Sequence, residues 1–376
     1  MRKRSTRTEG MVCGVDLGDR HSRLCVLDFE TGEVVEEGRI ATTEVALRRR
    51  FASVSRMRVA IEVGTHSPWV SRLLAECGHE VIVANPRKVR LIYKNRRKND
   101  AIDAMYLARL ARTDPDLLAP IRHRGPETQR DLALLRSRDA LVSARTKLIN
   151  HVRGAVKSTG TRLPRWGSEA FATKAGAGLP VELEAALQPL IEVIASLTTQ
   201  IRSLDRRLEE LASAYPETAR LRRVKGVGPL TSLAYVLTLE DPARFATSRA
   251  VGPYLGLIPA QRDSVDSKPA MRISKEGDAF VRRLLVGSAQ YILGPFGEDC
   301  DLRRHGFKLG AGGSTKDKRR AVVAVARKLA VLLHRLWTSE EPYDALYNAK
   351  RVGRTSIAAS RKETTPAREK ALVRTP

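Results

Sequence analysis

Between Met11 and Asn85 the hydrophobic pattern switches between a period of two and a period near that of a helix, as expected of a domain that mixes strands and helices. MVCGVDLG, SRLCVLDF and EVVEEGRI read as three successive strands, the last two joined by a turn at Thr31 and Gly32. Glu44 to Ser53 then reads as a helix, RVAIEV as a strand, SPWVSRLLAECG as a helix and EVIVAN as a strand. Ser67 with Pro68 behind it starts the second helix, and Gly78 stops it.

A three-stranded meander followed by alternating helix and strand is the order of an RNase H-like fold. The predicted fold class is therefore α/β for the first part and α for the rest. Beyond Asn85 a basic stretch, PRKVRLIYKNRRKND, precedes a helix carrying AIDAMYLARLAR. From Pro126 the leucines and alanines of ETQRDLALLRSRDALVSARTKLINHVRGAV recur at helical spacing. Residues 162–178, rich in Gly, Pro and Trp, read as a loop, and Pro180 to Ala214 resume a helical pattern with Pro189 near its start. The two long helices predict an antiparallel pair or a coiled-coil-like arm, although neither keeps a strict heptad. The expected organisation is a basic tail at 1–10, an RNase H/RuvC-like domain at 11–125 and a long helical region at 126–215. A mainly helical C-terminal domain with a serine loop follows at 216–347, and a disordered basic tail at 348–376.

Composition narrows the class of partner. The 376 residues include 67 Lys+Arg against 42 Asp+Glu, a formal net charge of +25, which points to polyanions. With 42% hydrophobic residues, the chain also buries a core rather than acting as a basic tail. The start, MRKRSTRTEG, leads into no apolar stretch, and the apolar run from Val322 to Leu333 is broken by Arg327 and Lys328, so neither a signal peptide nor a membrane span is expected. Cys13, Cys25, Cys77 and Cys300 form no C-x-x-C pair, which argues against a zinc ribbon or disulfide framework and for a reducing cytoplasm. Charge alone also fits a non-catalytic nucleic-acid-packing protein, so motifs must decide.

Four carboxylates carry the first motif. Asp16 ends the first strand in GVDLG, Glu62 ends the strand RVAIEV, and Asp100 and Asp103, in KNDAIDA, share one face of the helix that follows. In such a fold all four converge on one rim. Uncompensated acids repel one another unless a cation joins them, and two Mg²⁺ ions about 3.5–4 Å apart are the usual occupants in phosphodiester chemistry. Taken singly, Asp16 also reads as a turn residue, Glu62 as an arginine's partner and Asp100 as a helix cap. GVDLGDRHS is also similar to the first phosphate loop of actin-like ATPases, but long basic helices stand where those need a second phosphate loop and an adenosine segment. A proofreading exonuclease wants an acid two residues after Asp16, where Gly18 stands.

The C-terminal half carries the second. In LRRVKGVGPLTSLAYVLTLEDPARF, Lys225 and the Gly226-Val227-Gly228 turn read as a helix-hairpin-helix whose backbone N–H groups grip a phosphate; an ordinary glycine-rich turn is the alternative. In YLGLIPAQRDSVDSKPAMRISKEGDAFVRRLL, Ser264 lies in a polar loop, with Arg262, Arg272, Lys275, Arg282 and Arg283 available to surround a phosphate. Ser267 and Ser274 fit the same pattern. Arg87, Lys88, Arg96, Arg97 and Lys98 form a further basic run suited to nucleic acid.

GVDLG, IEVGTHS, NPRKVR, KNDAIDA, GVGPLTS and the serine segment stand in the order of a known family. The chain resembles bacterial insertion-sequence transposases that join an RuvC-like Asp-Glu-Asp-Asp domain to a C-terminal serine domain, over about Met11 to Leu336. The resemblance implies a DNA transposase or recombinase, nucleoid-associated in a bacterial cytoplasm, acting on donor and target DNA as a homodimer or homotetramer and guided by a bridging RNA. It assigns Asp16, Glu62, Asp100 and Asp103 to Mg²⁺ and Ser264 to covalent attack on DNA. Family members read Ser-Gly-Gly there, whereas Ser264 is followed by Val265 and Asp266, which keeps Ser267 in reserve. The alternative is an RuvC-like metal-dependent nuclease without serine chemistry.

Overall fold

A computed structural model describes residues 10–86, 100–176, 178–260, 271–339 and 341–350. Two compact units divide the chain, Met1–Gly125 and Pro126–Pro376.

The first unit is built on five strands: β1 (Met11–Asp16), β2 (His21–Asp28), β3 (Val34–Ala41), β4 (Arg58–Glu62) and β5 (Glu80–Ala84). Their spatial order is β3-β2-β1-β4-β5. β1, β2 and β3 pair antiparallel, while β4 runs parallel to both β1 and β5. This mixed sheet is the RNase H-like, RuvC-like arrangement. Helices α1 (Glu44–Phe51) and α2 (Ser67–Glu76) and helix α3 (Asp100–Thr113) complete the unit.

Burial on both faces explains why the central strands read as nearly continuous apolar runs. Cys13, Val15, Val59 and Ile61 pack with Leu47 and Phe51 of α1 and Val70, Leu73 and Leu74 of α2. Val12, Ala60, Ile82 and Ala84 pack instead with Ala104, Leu107, Ala108 and Ala111 of α3. The edge strand β3 keeps mostly exposed positions, Glu36 and Glu37 among them, which discourages edge-to-edge pairing. One local expectation is corrected: α2 is capped by His66, without a side-chain hydrogen bond, and Ser67 lies inside the helix. The Ser67 hydroxyl is engaged with Gly64, donating to its carbonyl (2.8 Å) and accepting its N–H (2.9 Å).

The second unit is helical: α4 (Pro126–Ser158), α5 (Phe171–Ala175), α6 (Val181–Ser213), α7 (Pro216–Leu221), α8 (Pro229–Leu239), α9 (Val251–Tyr254), α10 (Ala279–Leu293), α11 (Asp301–Gly310) and α12 (Thr315–Ser339). α4 and α6 form an antiparallel pair. Arg138 meets Asp205 (2.8 Å) and Arg145 meets Thr198 (3.2 Å), so moving one way along α4 moves the partner the other way along α6. Pro189 removes one helical hydrogen bond inside α6, a local cost of about 3 kcal/mol. Packing of Leu187, Ile191 and Ile194 against Ile149, Val152 and Val156 keeps the helix continuous. The loop expected over 162–178 contains α5, because Phe171 and Ala175 bury in that same core.

The helix pair expected at 126–215 and the domain expected at 216–347 share one core. Leu132 and Leu135 of α4 and Leu208 and Ala212 of α6 pack with α8, α10 and α12. α8 is its centre, buried from Thr231 to Leu239, and the hydroxyl of buried Tyr235 donates to the Ala330 carbonyl at 2.6 Å. Residues 347–350 form a helical turn that runs into the tail expected from 348. No described helix is long and apolar enough to cross a membrane.

Candidate active site and nucleic-acid interface

Strand register sets the acids. Val15 of β1 lies beside Ile61 of β4, so the residues that end these parallel strands, Asp16 and Glu62, occupy neighbouring rungs. Side chains alternate along a strand, and both acids share the parity of Val12 and Ala60, whose face carries α3. The first turn of α3 supplies Asp100 and Asp103. Gly14, two residues before Asp16 on that face, lets the helix settle. A Cβ there would collide with the Ala104 carbonyl oxygen and lie 2.5 Å from the Ala108 nitrogen.

Asp16, Asp100 and Asp103 each bring a carboxylate oxygen to within 4.8 Å of the others. Asp16 and Asp103 are half-buried and Asp100 is exposed. Glu62 stands at the adjoining strand end but is not part of that three-acid group. A donor set of carboxylate oxygens, with neither thiolate nor imidazole, suits a hard divalent cation. The thiols lie elsewhere: Cys13, Cys25 and Cys300 are buried, all four described cysteines are unpaired, and burial pushes the Cys13 thiol up to about 12. The loop after β1 is pinned where Thr42 Oγ1 donates to the Gly18 carbonyl at 2.9 Å.

In the second unit, residues on either side of 261–270 pair with one another. The Ala260 N–H donates to the Arg272 carbonyl (2.8 Å), the Ser274 N–H donates to the Ile258 carbonyl (2.8 Å), and Pro259 bridges Ile273. Arg262, Ser264 and Ser267, like Arg87, Lys88, Arg96, Arg97 and Lys98, lie outside the described residues. Ala260 and Met271 line a cleft of about 1600 Å³. Its wall includes apolar Leu257, Ile273 and Val331, and its cations include Arg249, Arg272, Lys275, Arg319, Arg320 and Arg327. Burial first, and then Lys328 and Lys308, hold the imidazole of cleft residue His305 below its ordinary value.

The other expected phosphate ligands among the described residues do not line this cleft. Arg282 donates to the carbonyls of Leu255 (3.0 Å) and Glu276 (2.7 Å), Arg283 pairs with Asp139, and Lys225 lies 3.1 Å from Glu298. Gly226 adopts a φ of 89°, and a Cβ there would press on Tyr291 at 2.9 Å. Gly228 caps α8 with open space around it. The sequence reading missed Lys316, Arg319, Arg320 and Arg327 of α12. Their signal was present as cations three, four and seven apart in KDKRRAVVAVARKL.

Residues 13–160 match the IS110-type DEDD transposase family, and residues 218–296 match the transposase IS116/IS110/IS902 family. The transposase for insertion sequence element IS1328 of Yersinia enterocolitica is 30% identical over 66% of this chain and 77% of its own. The chain belongs to this family of insertion-sequence transposases. The transposase for insertion sequence element IS1111A of Coxiella burnetii is 28% identical over 91% of this transposase and 93% of its own chain. A probable family 20 transposase of Pseudomonas aeruginosa is 29% identical over 79% and 88%. Among solved structures, the Thermus thermophilus RuvC structure matches 28% of this chain and 96% of its own, with 18% identity and a TM-score of 0.22. That score adds nothing to the strand order described above.

Proposed function

We propose that this transposase cuts and rejoins donor and target DNA through Ser264, assisted by a divalent-metal centre held by Asp16, Asp100 and Asp103, with Glu62 completing the ligands for a second ion. The observation that supports this most strongly is the meeting of three carboxylates from β1 and α3 within 4.8 Å. Mg²⁺ fits the oxygen-only donors, and when bound it supplies positive charge to a non-bridging phosphate oxygen and to the departing oxygen. The carboxylates position that charge on a helix and a strand end, which hold it more precisely than loops would.

Ser264 Oγ attacks phosphorus, the bond to the departing sugar oxygen breaks, the serine's proton passes to that oxygen to leave a sugar hydroxyl, and DNA becomes esterified to the protein. The phosphodiester energy is thereby conserved for rejoining without an external source. The cleft of the second unit, with Arg272, Lys275, Arg319 and Arg320 on its wall, offers phosphate contacts for the nucleic acid. A bridging RNA selects the DNA, with Arg87, Lys88, Arg96, Arg97 and Lys98 among its contacts, and the protein works as a dimer or tetramer.

The test is strand exchange with trapping. Asp16→Asn, Glu62→Gln and Asp103→Asn should each abolish exchange while folding and nucleic-acid binding persist. Ser264→Ala should eliminate the covalent adduct and exchange together. Mass spectrometry of the digested complex should locate the nucleotide on the Ser264 peptide; an adduct on Ser267 moves the role there. No adduct, with cleavage still dependent on the acids, returns the chemistry to metal and water. Wild-type exchange in all three acid variants overturns the metal centre.

A further inference from the structure

The loops that follow β1 and β4 meet at one point. His66, four residues beyond Glu62, places Nε2 3.6 Å from Oδ1 of Asp19, three residues beyond Asp16. Since Asp16 and Glu62 end neighbouring parallel strands, this contact lies over the strand ends where the acids begin. Both loops are fixed, one by the Thr42 hydroxyl on Gly18 and the other by the Ser67 hydroxyl on Gly64.

The state of the His66 ring follows from its partner. Trp69 Nε1 approaches His66 Nδ1 at 3.1 Å, with the rings edge to face at 6.0 Å. An indole N–H only donates, so Nδ1 must accept, and the ring proton must reside on Nε2. That Nε2–H has no acceptor within hydrogen-bonding distance among the described residues, since Asp19 lies just beyond it. His66 is partly exposed, its side chain 28% accessible, and Trp69 anchors it by packing on the α1–α2 core. The result is a neutral donor, held in one tautomer, partly exposed, and turned toward the exposed Asp19 carboxylate beside an acidic site.

We propose that His66 forms a phosphodiester subsite, donating Nε2–H to a non-bridging oxygen of a DNA phosphate that borders the one being cut, with Trp69 as the residue that fixes its tautomer. A neutral donor is suited to this place, because it orients a phosphate without competing with the metal for the carboxylates, as a cationic side chain would. The proposal rests on the metal-centre reading of Asp16, Asp100 and Asp103.

Excision of the intact insertion sequence from a donor plasmid in cells tests it, with Asp103→Asn alongside. Gln places an amide donor near the position of Nε2, whereas Asn keeps an acceptor near Nδ1 and loses the distal donor. A phosphate donor therefore requires His66→Gln to stay within a few-fold of wild type, while His66→Asn and His66→Ala fall about 10- to 100-fold, the range for one hydrogen bond to a charged group. A merely structural His66, needed only to accept from Trp69, requires the opposite order. Trp69→Phe should lower excision in the wild-type background and add no loss in His66→Gln. Purified His66→Gln and His66→Asn should keep the wild-type unfolding midpoint and Mn²⁺ affinity. Asn outperforming Gln, or equal loss in both, overturns the subsite. Full excision by Asp103→Asn overturns the metal reading instead, whatever the His66 order.

Discussion

Gly14 shows how one missing methyl group positions a site. β1 carries Gly14 beneath α3 so closely that the Ala104 and Ala108 backbone atoms occupy the space of a Cβ. Gly14→Ala must push α3 outward, and with it Asp100 and Asp103. The expected cost is about 1–3 kcal/mol for overpacking a filled interface, with excision lost in protein that remains folded. Gly38 is the control, because a Cβ there makes only ordinary contact with Leu24 at 3.5 Å, so Gly38→Ala should leave both properties close to wild type. Chemical denaturation and an excision assay on the two variants check the pair of outcomes. Equal effects of the two substitutions would show that α3 does not depend on the notch.

At the scale of elements, α12 joins two roles in one helix. Ala326, Leu329, Ala330 and Leu333 anchor it in the C-terminal core, while Lys316, Arg319, Arg320 and Arg327 turn to the cleft. If these cations contact phosphates, affinity for duplex DNA should fall about 10³- to 10⁵-fold between 50 and 200 mM salt, the range for six to ten contacts. Arg319→Gln with Arg320→Gln should reduce the slope of log affinity on log salt by about 2 and weaken all sequences alike. Fluorescence anisotropy across a salt series reads that slope, and an unchanged slope would remove α12 from the interface. The α4–α6 pair is held differently: Nη1 of its buried Arg145 donates to Glu169 (2.7 Å) and Thr198 (3.2 Å). The Arg145 hydrogen bond first, and then that of Arg202 (2.8 Å), hold the Glu169 carboxyl below its usual value.

Across the whole molecule, legibility followed the strength of periodic burial. β1, β2, β4 and β5 could be read because sheet strands covered on one or both sides leave apolar runs. Asp100 and Asp103 could be paired because three residues on a helix return to one face. Glu62 was expected in the same cluster, but strand parity sets only its face, and the trio closes without it. α5 could not be seen in a Gly- and Pro-rich stretch, since tertiary burial of Phe171 and Ala175, not local propensity, makes it helical. The basic face of α12 was hidden in plain view. In the sequence Arg327 and Lys328 read as charges interrupting an apolar run, although the same spacing places Arg327 on the cleft wall.

The metal centre proposed at Asp16, Asp100 and Asp103, on which DNA cleavage depends, is open to direct measurement. Mn²⁺ titration of the full-length protein, followed by electron paramagnetic resonance and paired with cleavage of DNA carrying the element's ends, tests it most directly. Wild-type protein should show saturable Mn²⁺ binding and metal-dependent cleavage, and the combined variant Asp16→Asn, Asp100→Asn, Asp103→Asn should lose both while keeping its unfolding midpoint. The same saturable binding and the same cleavage in the combined variant would contradict the account.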